Sequence, residues 1–484
     1  MKRLILTGAT VIGFATASLA QNNSTVNQVG NAQTAVSTQQ GNLQNANIQQ
    51  NQGTGGATNY GNYAGTFQGT TGAPNTVTNS SRVNQNGSGT NASQGNRAGI
   101  TQTGGNHDAE INQNAGLNGV SGVSTSQATL QNAAGTGNLG GILQQGNGNA
   151  SAINQNNGST SNEGVIYQNG TTNTATSISQ SNNSDNNTGT IYQGFTDPAN
   201  PVAGAANNRA AISQDGDAGA GLSQGNEATV RQLGTDHRAT VNQLGTGIGN
   251  SIDNDAFVNQ AGSANTATVN QSGNSIDNLA NVTQSGSGNE SLVDQINNAI
   301  SNDAFVTQTG TSGFASVLQT MGSSFASSTI TQGGNGNMAY TEQFKGTNVD
   351  GFPPSEYGND ARIYQNLVTA GGDNCAFIRQ GTAGATTGSN DNGASITQEG
   401  SFNEARLQQT GNYGDATITQ NGGSSASSNK LRAASGAEDS FALQAGNNNV
   451  LKVMQTASGA PGAGNNANLS QTGNNNNSTI TQSN

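Results

Sequence analysis

The chain has 484 residues, of which 30% are hydrophobic, 4% aromatic and 8% charged, with a formal net charge of −12. So little apolar material cannot build a conventional globular core at this length, while the scarcity of charge is unlike the composition of ordinary disordered chains. The acidic balance argues against a phosphate-tracking nucleic-acid surface, and no segment beyond the start approaches the ~18 consecutive apolar residues of a membrane span.

The first predicted element is a secretory signal peptide over residues 1–20. Met1-Lys2-Arg3 supplies a positive start, Leu4 to Leu19 is mostly apolar, and Ser18-Leu19-Ala20 places small residues at the cleavage positions before Gln21. The reading is therefore of an exported chain. Its single cysteine, Cys375, can form no intrachain disulfide and occupies an outward position, where it reads as a surface thiol.

From residue 21 to 484 the sequence repeats itself, which is the fact to explain first. Asn22-Asn23-Ser24-Thr25-Val26-Asn27-Gln28 is already a copy of a phrase, Asn-x-Ala-x-Val/Ile-x-Gln. Clean copies are Asn265 to Gln271, Asn302 to Gln308 and Asn374 to Gln380. The restricted letters fall on alternate positions, the period of a strand with one specified face. Segments rich in Gly, Asn and Ser, such as Ser272-Gly273-Asn274, separate the phrases and suit tight turns.

The spacing predicts how the strands stack. Gln260 to Gln271, Gln284 to Gln295 and Gln308 to Gln319 are each eleven apart, whereas Gln271 to Gln284 and Gln295 to Gln308 are each thirteen apart. This alternation predicts a two-strand coil of about 24 residues, repeated as in a solenoid, with room for roughly twenty coils. Each coil lies over the last at the ~4.8 Å strand spacing, so that Asn sits on Asn and Gln on Gln, each amide donating and accepting along its column. A disordered Asn/Gln-rich tract, the competing reading, lacks such a strict positional period.

Five stretches keep the period poorly and are expected as loop insertions near 53–80, 115–141, 195–206, 345–360 and 421–439. All six prolines (Pro74, Pro198, Pro201, Pro353, Pro354 and Pro461) fall in such stretches or in turns, as a ladder that needs every backbone N–H requires. If a partner is bound specifically, these loops or the outward faces are the candidates.

No constellation for chemistry emerges, and no catalytic residue, cofactor or metal site is expected. His107 and His237 each stand where the phrase has its Asn, which makes them substituted ladder positions. Asp215-Gly216-Asp217 and Asp253-Asn254-Asp255 resemble the opening of calcium loops, but Asn226 and Ala264 stand where the bidentate Glu belongs, so both are read as solvated turns. Gly333-Gly334-Asn335-Gly336-Asn337 has Asn337 where a calcium-binding nonapeptide has Asp. Tyr167, Tyr192 and Tyr364, each just before the closing Gln, and Phe257 and Phe305, each after the Ala, are expected to project outward and touch neighbouring rungs. The dispersed acids are read as interruptions of aggregation-prone windows.

The arrangement Gln-x4-Asn-x5-Gln resembles the curlin repeat of curli fibre subunits. It occurs intact as Gln144/Asn149/Gln155, Gln260/Asn265/Gln271, Gln284/Asn289/Gln295, Gln332/Asn337/Gln343, Gln398/Asn403/Gln409, Gln444/Asn449/Gln455 and Gln471/Asn476/Gln482. The resemblance implies an all-β solenoid of stacked β-arches, amyloid-like, exported to the surface of a Gram-negative bacterium and assembled into fibres for adhesion and biofilm matrix. It implies these residues as structural ladders, and as partners further copies of the chain, a nucleator or other curlin-repeat subunit, and an outer-membrane curli secretion pore. The first and last phrases lie close to the ends of the mature chain, and head-to-tail growth is expected from strand edges left open there. Two other classes compete. A monomeric solenoid adhesin or ice-binding protein would present outward Thr rows, such as Thr266 and Thr268. An enzyme on a parallel β-helix would need acids and bases clustered in one groove.

Overall fold

A computed structural model of the chain describes residues 22–29, 33–40, 43–50, 62–69, 79–85, 97–113, 138–155, 161–173, 176–182, 184–197, 200–202, 204–216, 221–246, 249–344, 358–367, 371–382, 391–425, 427–433, 435, 440–457 and 464–483. The expected signal peptide lies outside them, as do much of the expected insertions.

The chain is all-β and alternates between two long parallel sheets of seventeen and sixteen strands. Thr266–Ser272 belongs to the first and Asp255–Ser263 to the second. Each strand pairs with the equivalent strand of the coil before and after, residue for residue: Ala239 on Ala267, Val241 on Val269, Gln243 on Gln271, and onward to Ser291, Val293 and Gln295. The second sheet has one strand per coil and so counts sixteen coils among the described residues, fewer than the twenty that length suggested. In the first sheet one rung is built from two short pieces, Lys430–Ala433 and Ala442–Ala445, both lying between Glu404–Thr410 and Asn466–Thr472.

Alternation puts the restricted letters inside. In Thr266–Ser272 Ala267, Val269 and Gln271 are buried while Thr266, Thr268 and Asn270 are half-buried on the outer face. The slab between the sheets is a column of Ala and a column of Val, Ile or Leu from each sheet. Each fully buried Val or Ile contributes about 1.5–3 kcal/mol, so a thin core repeated in every coil suffices where a thick one is absent. One coil breaks the pattern in a compensated way. Thr341 stands in the aliphatic column between Val317 and Ile378, and its hydroxyl is 2.6 Å from that of Ser328, which replaces Ala on the facing strand. Two buried hydroxyls satisfy each other.

The turns are ladders too, beyond the plain strand-turn-strand expectation. Ser184–Asp185, Ser223–Gln224, Ser251–Ile252 and Ser275–Ile276 form a four-stranded parallel sheet at one turn. Single bridges join Ser263, Ser287, Thr311, Asn335 and Gly372 at the other. Gly262 in that second turn has no room for a side chain. Gly262 has φ +93°, and a Cβ there would lie 2.0 Å from the carbonyl oxygen of Gly286 one coil on.

Several expected insertions contain ordered rungs. Tyr63–Gln68 lies within 53–80 and Lys430–Ala433 within 421–439, each in register with its neighbours. Within 195–206 the chain forms a small antiparallel hairpin, Phe195–Asp197 with Asn200–Pro201.

Candidate functional site

The buried glutamines form one continuous column in each sheet. Gln271 shows the pattern. Its Nε2 donates to Gln295 Oε1 of the next coil at 2.8 Å and to the carbonyls of Asp255 and Asn278 at 3.0 Å each, while its Oε1 accepts from Gln243 Nε2 at 2.9 Å. One hydrogen runs up the column and the other braces the first sheet against the second. The same donation links Gln155 to Gln180, Gln295 to Gln319, Gln343 to Gln380, Gln409 to Gln444 and Gln444 to Gln471. In the second sheet it links Gln144 to Gln168, Gln260 to Gln284, Gln284 to Gln308, Gln332 to Gln365, Gln398 to Gln420 and Gln455 to Gln482. Each of these bonds runs from the earlier coil to the later, so the columns are polar.

The asparagines behave differently from the expected amide-on-amide ladder. Asn265 Nδ2 donates to the turn carbonyls of Ala261 (2.8 Å) and Gly286 (3.3 Å), and its Oδ1 accepts from the backbone N–H of Asn289 at 2.9 Å. Asn149, Asn289, Asn403, Asn449 and Asn476 likewise donate to the carbonyl four residues earlier, and Asn337 does so to Gly333. The physical reason is length. One methylene shorter than Gln, the side chain keeps its amide beside its own turn. At the opposite turn Asn amides bond one another, Asn278 to Asn254 at 2.9 Å and Asn254 to Asn226 at 3.1 Å, with the donor on the later coil, and in the Asn265 column Asn429 does so to Asn403 and Asn465 to Asn429 at 2.9 Å each.

The two histidines occupy this turn column. His237 Nδ1 accepts the backbone N–H of Asn265 at 3.3 Å, and Nε2 is 3.1 Å from the carbonyl of Leu233; His107 repeats both contacts with Asn149 and Thr103. Burial pulls both below the ordinary imidazole value, against the pull of the turn carbonyls.

The acids are more organised than scattered turns. Glu227 and Asp255 are register partners, and Asp303 follows beyond Leu279. Burial raises all three carboxyls above their usual range, and neighbouring acids add to it, Asp277 and Asp253 at Asp255. Asp253-Asn254-Asp255, expected as a solvated turn, has Asn254 fully buried in the column. Asp215 accepts from Ser179 Oγ, Ser181 N and Ser213 Oγ, so it staples a turn instead of projecting into solvent.

Seven of the aromatics form two clusters that the sequence does not reveal. Tyr167, expected to project outward, stacks on Tyr192 at 5.1 Å and is covered by Phe195 of the small hairpin, and burial pushes its hydroxyl up to about 12. On the first sheet Phe314, Tyr340, Phe377 and Phe441 form a file with centroids 4.7–5.4 Å apart, and Arg379 lies over the last two and pairs with Glu342. Their sequence separations are irregular; Tyr340 and Phe377 are register partners, whereas Phe314 meets Tyr340 diagonally, since its own partner is Met338. Phe257 and Phe305 are separated by Asn281, so they are not direct register neighbours. Cys375 is half-buried on the outer face, in register with Met338 and Glu404.

Fold and site together define a parallel two-sheet β-solenoid whose interior is held by polar amide columns. The family model of the Curlin associated repeat matches residues 277–310 and 390–422, windows that contain Gln284/Asn289/Gln295 and Gln398/Asn403/Gln409. The chain carries curlin associated repeats at these two places, and such repeats point to a structural protein of the curli type. No curated protein matches it in sequence. Among the described residues no helix is long and apolar enough to cross a membrane.

Proposed function

We propose that the chain is a secreted, non-enzymatic protein that self-assembles into curli-like extracellular amyloid fibres serving adhesion and biofilm matrix. The observation that carries this reading is the shared polarity of the Gln columns. A coil offers Nε2 donors on its later side, as Gln271 does to Gln295, and Oε1 acceptors on its earlier side, as Gln271 does to Gln243. Coils of separate copies can therefore continue one another head to tail with the bonds already used within the chain, which is the side-chain ladder of a cross-β array. The partners are further copies, with a nucleator or other curlin-repeat subunit and an outer-membrane curli secretion pore for export. Residues 1–20 are the export signal and the irregular stretches the loops on which specific partners act.

The test is thioflavin fluorescence, electron microscopy and fibre diffraction on chain 21–484 released from denaturant into physiological buffer. A lag followed by fibres with a ~4.8 Å reflection is expected. A β-rich monomer that persists indefinitely overturns the proposal.

One observation favours a second reading, a monomeric adhesin or ice-binding solenoid. Thr283, Thr307 and Thr331 are stacked in register on the outer second sheet, as are Thr397 and Thr419. Tyr364 and Met454 interrupt that column, and Thr266 is flanked by Arg238 and Glu290. A persistent monomer that inhibits ice recrystallisation would select this reading.

A further inference from the structure

The Asn column at the Gly262 turn contains two imidazoles, and each copies an asparagine bond for bond. Asn265 accepts a backbone N–H from the next coil and donates to turn carbonyls of its own and the next coil. His237 accepts the N–H of Asn265 on Nδ1 and presents Nε2 to Leu233 and Gly262. His107 accepts the N–H of Asn149 and presents Nε2 to Thr103 and Gly146. A backbone N–H can only donate and a carbonyl can only accept, so each ring is fixed as the neutral tautomer with its hydrogen on Nε2. The rings are 2% and 0% exposed, so no water replaces a lost bond. A proton on Nδ1 would face the backbone N–H donor of the following coil and leave it without a partner. An asparagine, which does not titrate, has no such state.

We infer that His107 and His237 are pH-sensitive joints in the solenoid: on acidification the turn column parts between His107 and Asn149 and between His237 and Asn265, while coils with Asn at this position stay closed. The device belongs to the fold and holds whether or not fibres form.

The charges around each ring leave burial in control. Beside His237 stand Asp236 and Arg238 in its own segment and Arg209 in the preceding coil, whose backbone N–H donates to the His237 carbonyl; the following coil brings Ala264, Asn265 and Thr266, all uncharged. Asp236 favours the charged ring but acts less than burial does. Beside His107 stand Asp108 in its own strand, Asn79 and Ser80 in the preceding coil, Gly148, Asn149 and Ala150 in the following one, and Arg97 at the far end of the same coil's second-sheet strand. Both rings therefore titrate below 6.5 when the column is closed. The opened state then binds more protons below that value. The joints are intact above about pH 6.5 and weaken as pH falls from there towards the lowered value. Across that window each pH unit multiplies the opening constant by up to about tenfold per histidine.

Glu227, Asp255 and Asp303, raised by burial, respond to acid in the opposite sense, so the readout must be local. Hydrogen exchange of the full chain, followed by mass spectrometry from pH 7.5 to 5.0 and corrected for intrinsic rates, is read at Asp108–Asn112, Ala150–Asn154, Arg238–Leu244 and Thr266–Ser272. The references are Glu290–Ile296 and Cys375–Gln380, which open on Asn289 and Asn374. Opening at the four histidine-flanking strands is expected to rise as pH falls and that of the references is not, and H107N and H237N are each expected to flatten only their own pair. Because each variant restores the residue type of the column, it keeps the fold. A pH response equal in all six strands, or one that survives the Asn substitutions, overturns the inference.

Discussion

The coils around residues 251–344 and those around 79–155 are built alike but spaced differently. In the first region Gln271 bonds Gln295 across 24 residues at 2.8 Å; in the second Gln113 bonds Gln155 across 42 residues at 3.0 Å. The aliphatic column is equally continuous, Val269 on Val293 and Ile111 on Ile153. The longer step leaves both columns unbroken, as expected where loop closure grows costlier only logarithmically, about 0.6 kcal/mol per doubling of length. Regular spacing is thus a convenience of the chain, whereas in-register columns are the requirement of the structure.

Ways of breaking that equivalence can be ranked. Proline at Val269 or at Ile111 removes a ladder donor and a buried aliphatic side chain together, and both are expected to cost about 4 kcal/mol or more, read as a fall in urea midpoint. A much smaller loss at Ile111 would show that the widely spaced coils carry less of the stability. Gln271→Ala and Gln113→Ala each leave a donor on one coil and an acceptor on the next unmade, and each is expected to cost about 2–4 kcal/mol. Equal losses support the comparison, and a cost confined to Gln271 contradicts it.

The regular region has its own internal test at the Ser328–Thr341 pair. Thr341→Val alone strands the Ser328 hydroxyl at a cost of about 1–2 kcal/mol, while combining it with Ser328→Ala is expected to recover most of that loss in a double-mutant cycle. Shortening the 42-residue step towards the 24 of the regular coil, by excision within 114–137, is expected to change stability by less than about 0.6 kcal/mol. Last comes the acid column. Asp255 has a raised folded value, so its stabilising contribution is present below about pH 4 and is lost as pH rises through that raised value. Asp255→Asn is expected to flatten this part of the pH profile of hydrogen exchange in Asp255–Ser263, and an unchanged profile would mean that the carboxyl is solvated.

Much of this was legible in one dimension. The period-two phrase gave strands and their inner face, and the alternating interval gave the two-strand coil, because identical residues at a fixed step can only stack. The Gln columns followed from the same step. The division of labour between Gln and Asn did not, since it depends on how far each amide reaches from its own backbone. Asn265 stays with Ala261, whereas Gln271 crosses to Asp255. Rungs such as Tyr63–Gln68 were hidden because Thr66 occupies the position of the aliphatic residue, and only pairing with Ser37 and Ile100 on either side places it.

By itself, then, the sequence determined the solenoid, its inward letters and the positions where histidine replaces asparagine, for these are properties of periodicity. Tertiary structure alone decided the polarity of the columns, the file of Phe314, Tyr340, Phe377 and Phe441, and the fixed tautomers of His107 and His237. Each of those depends on which atom of one coil faces which atom of the next, a distance of a few ångströms that no spacing along the chain encodes.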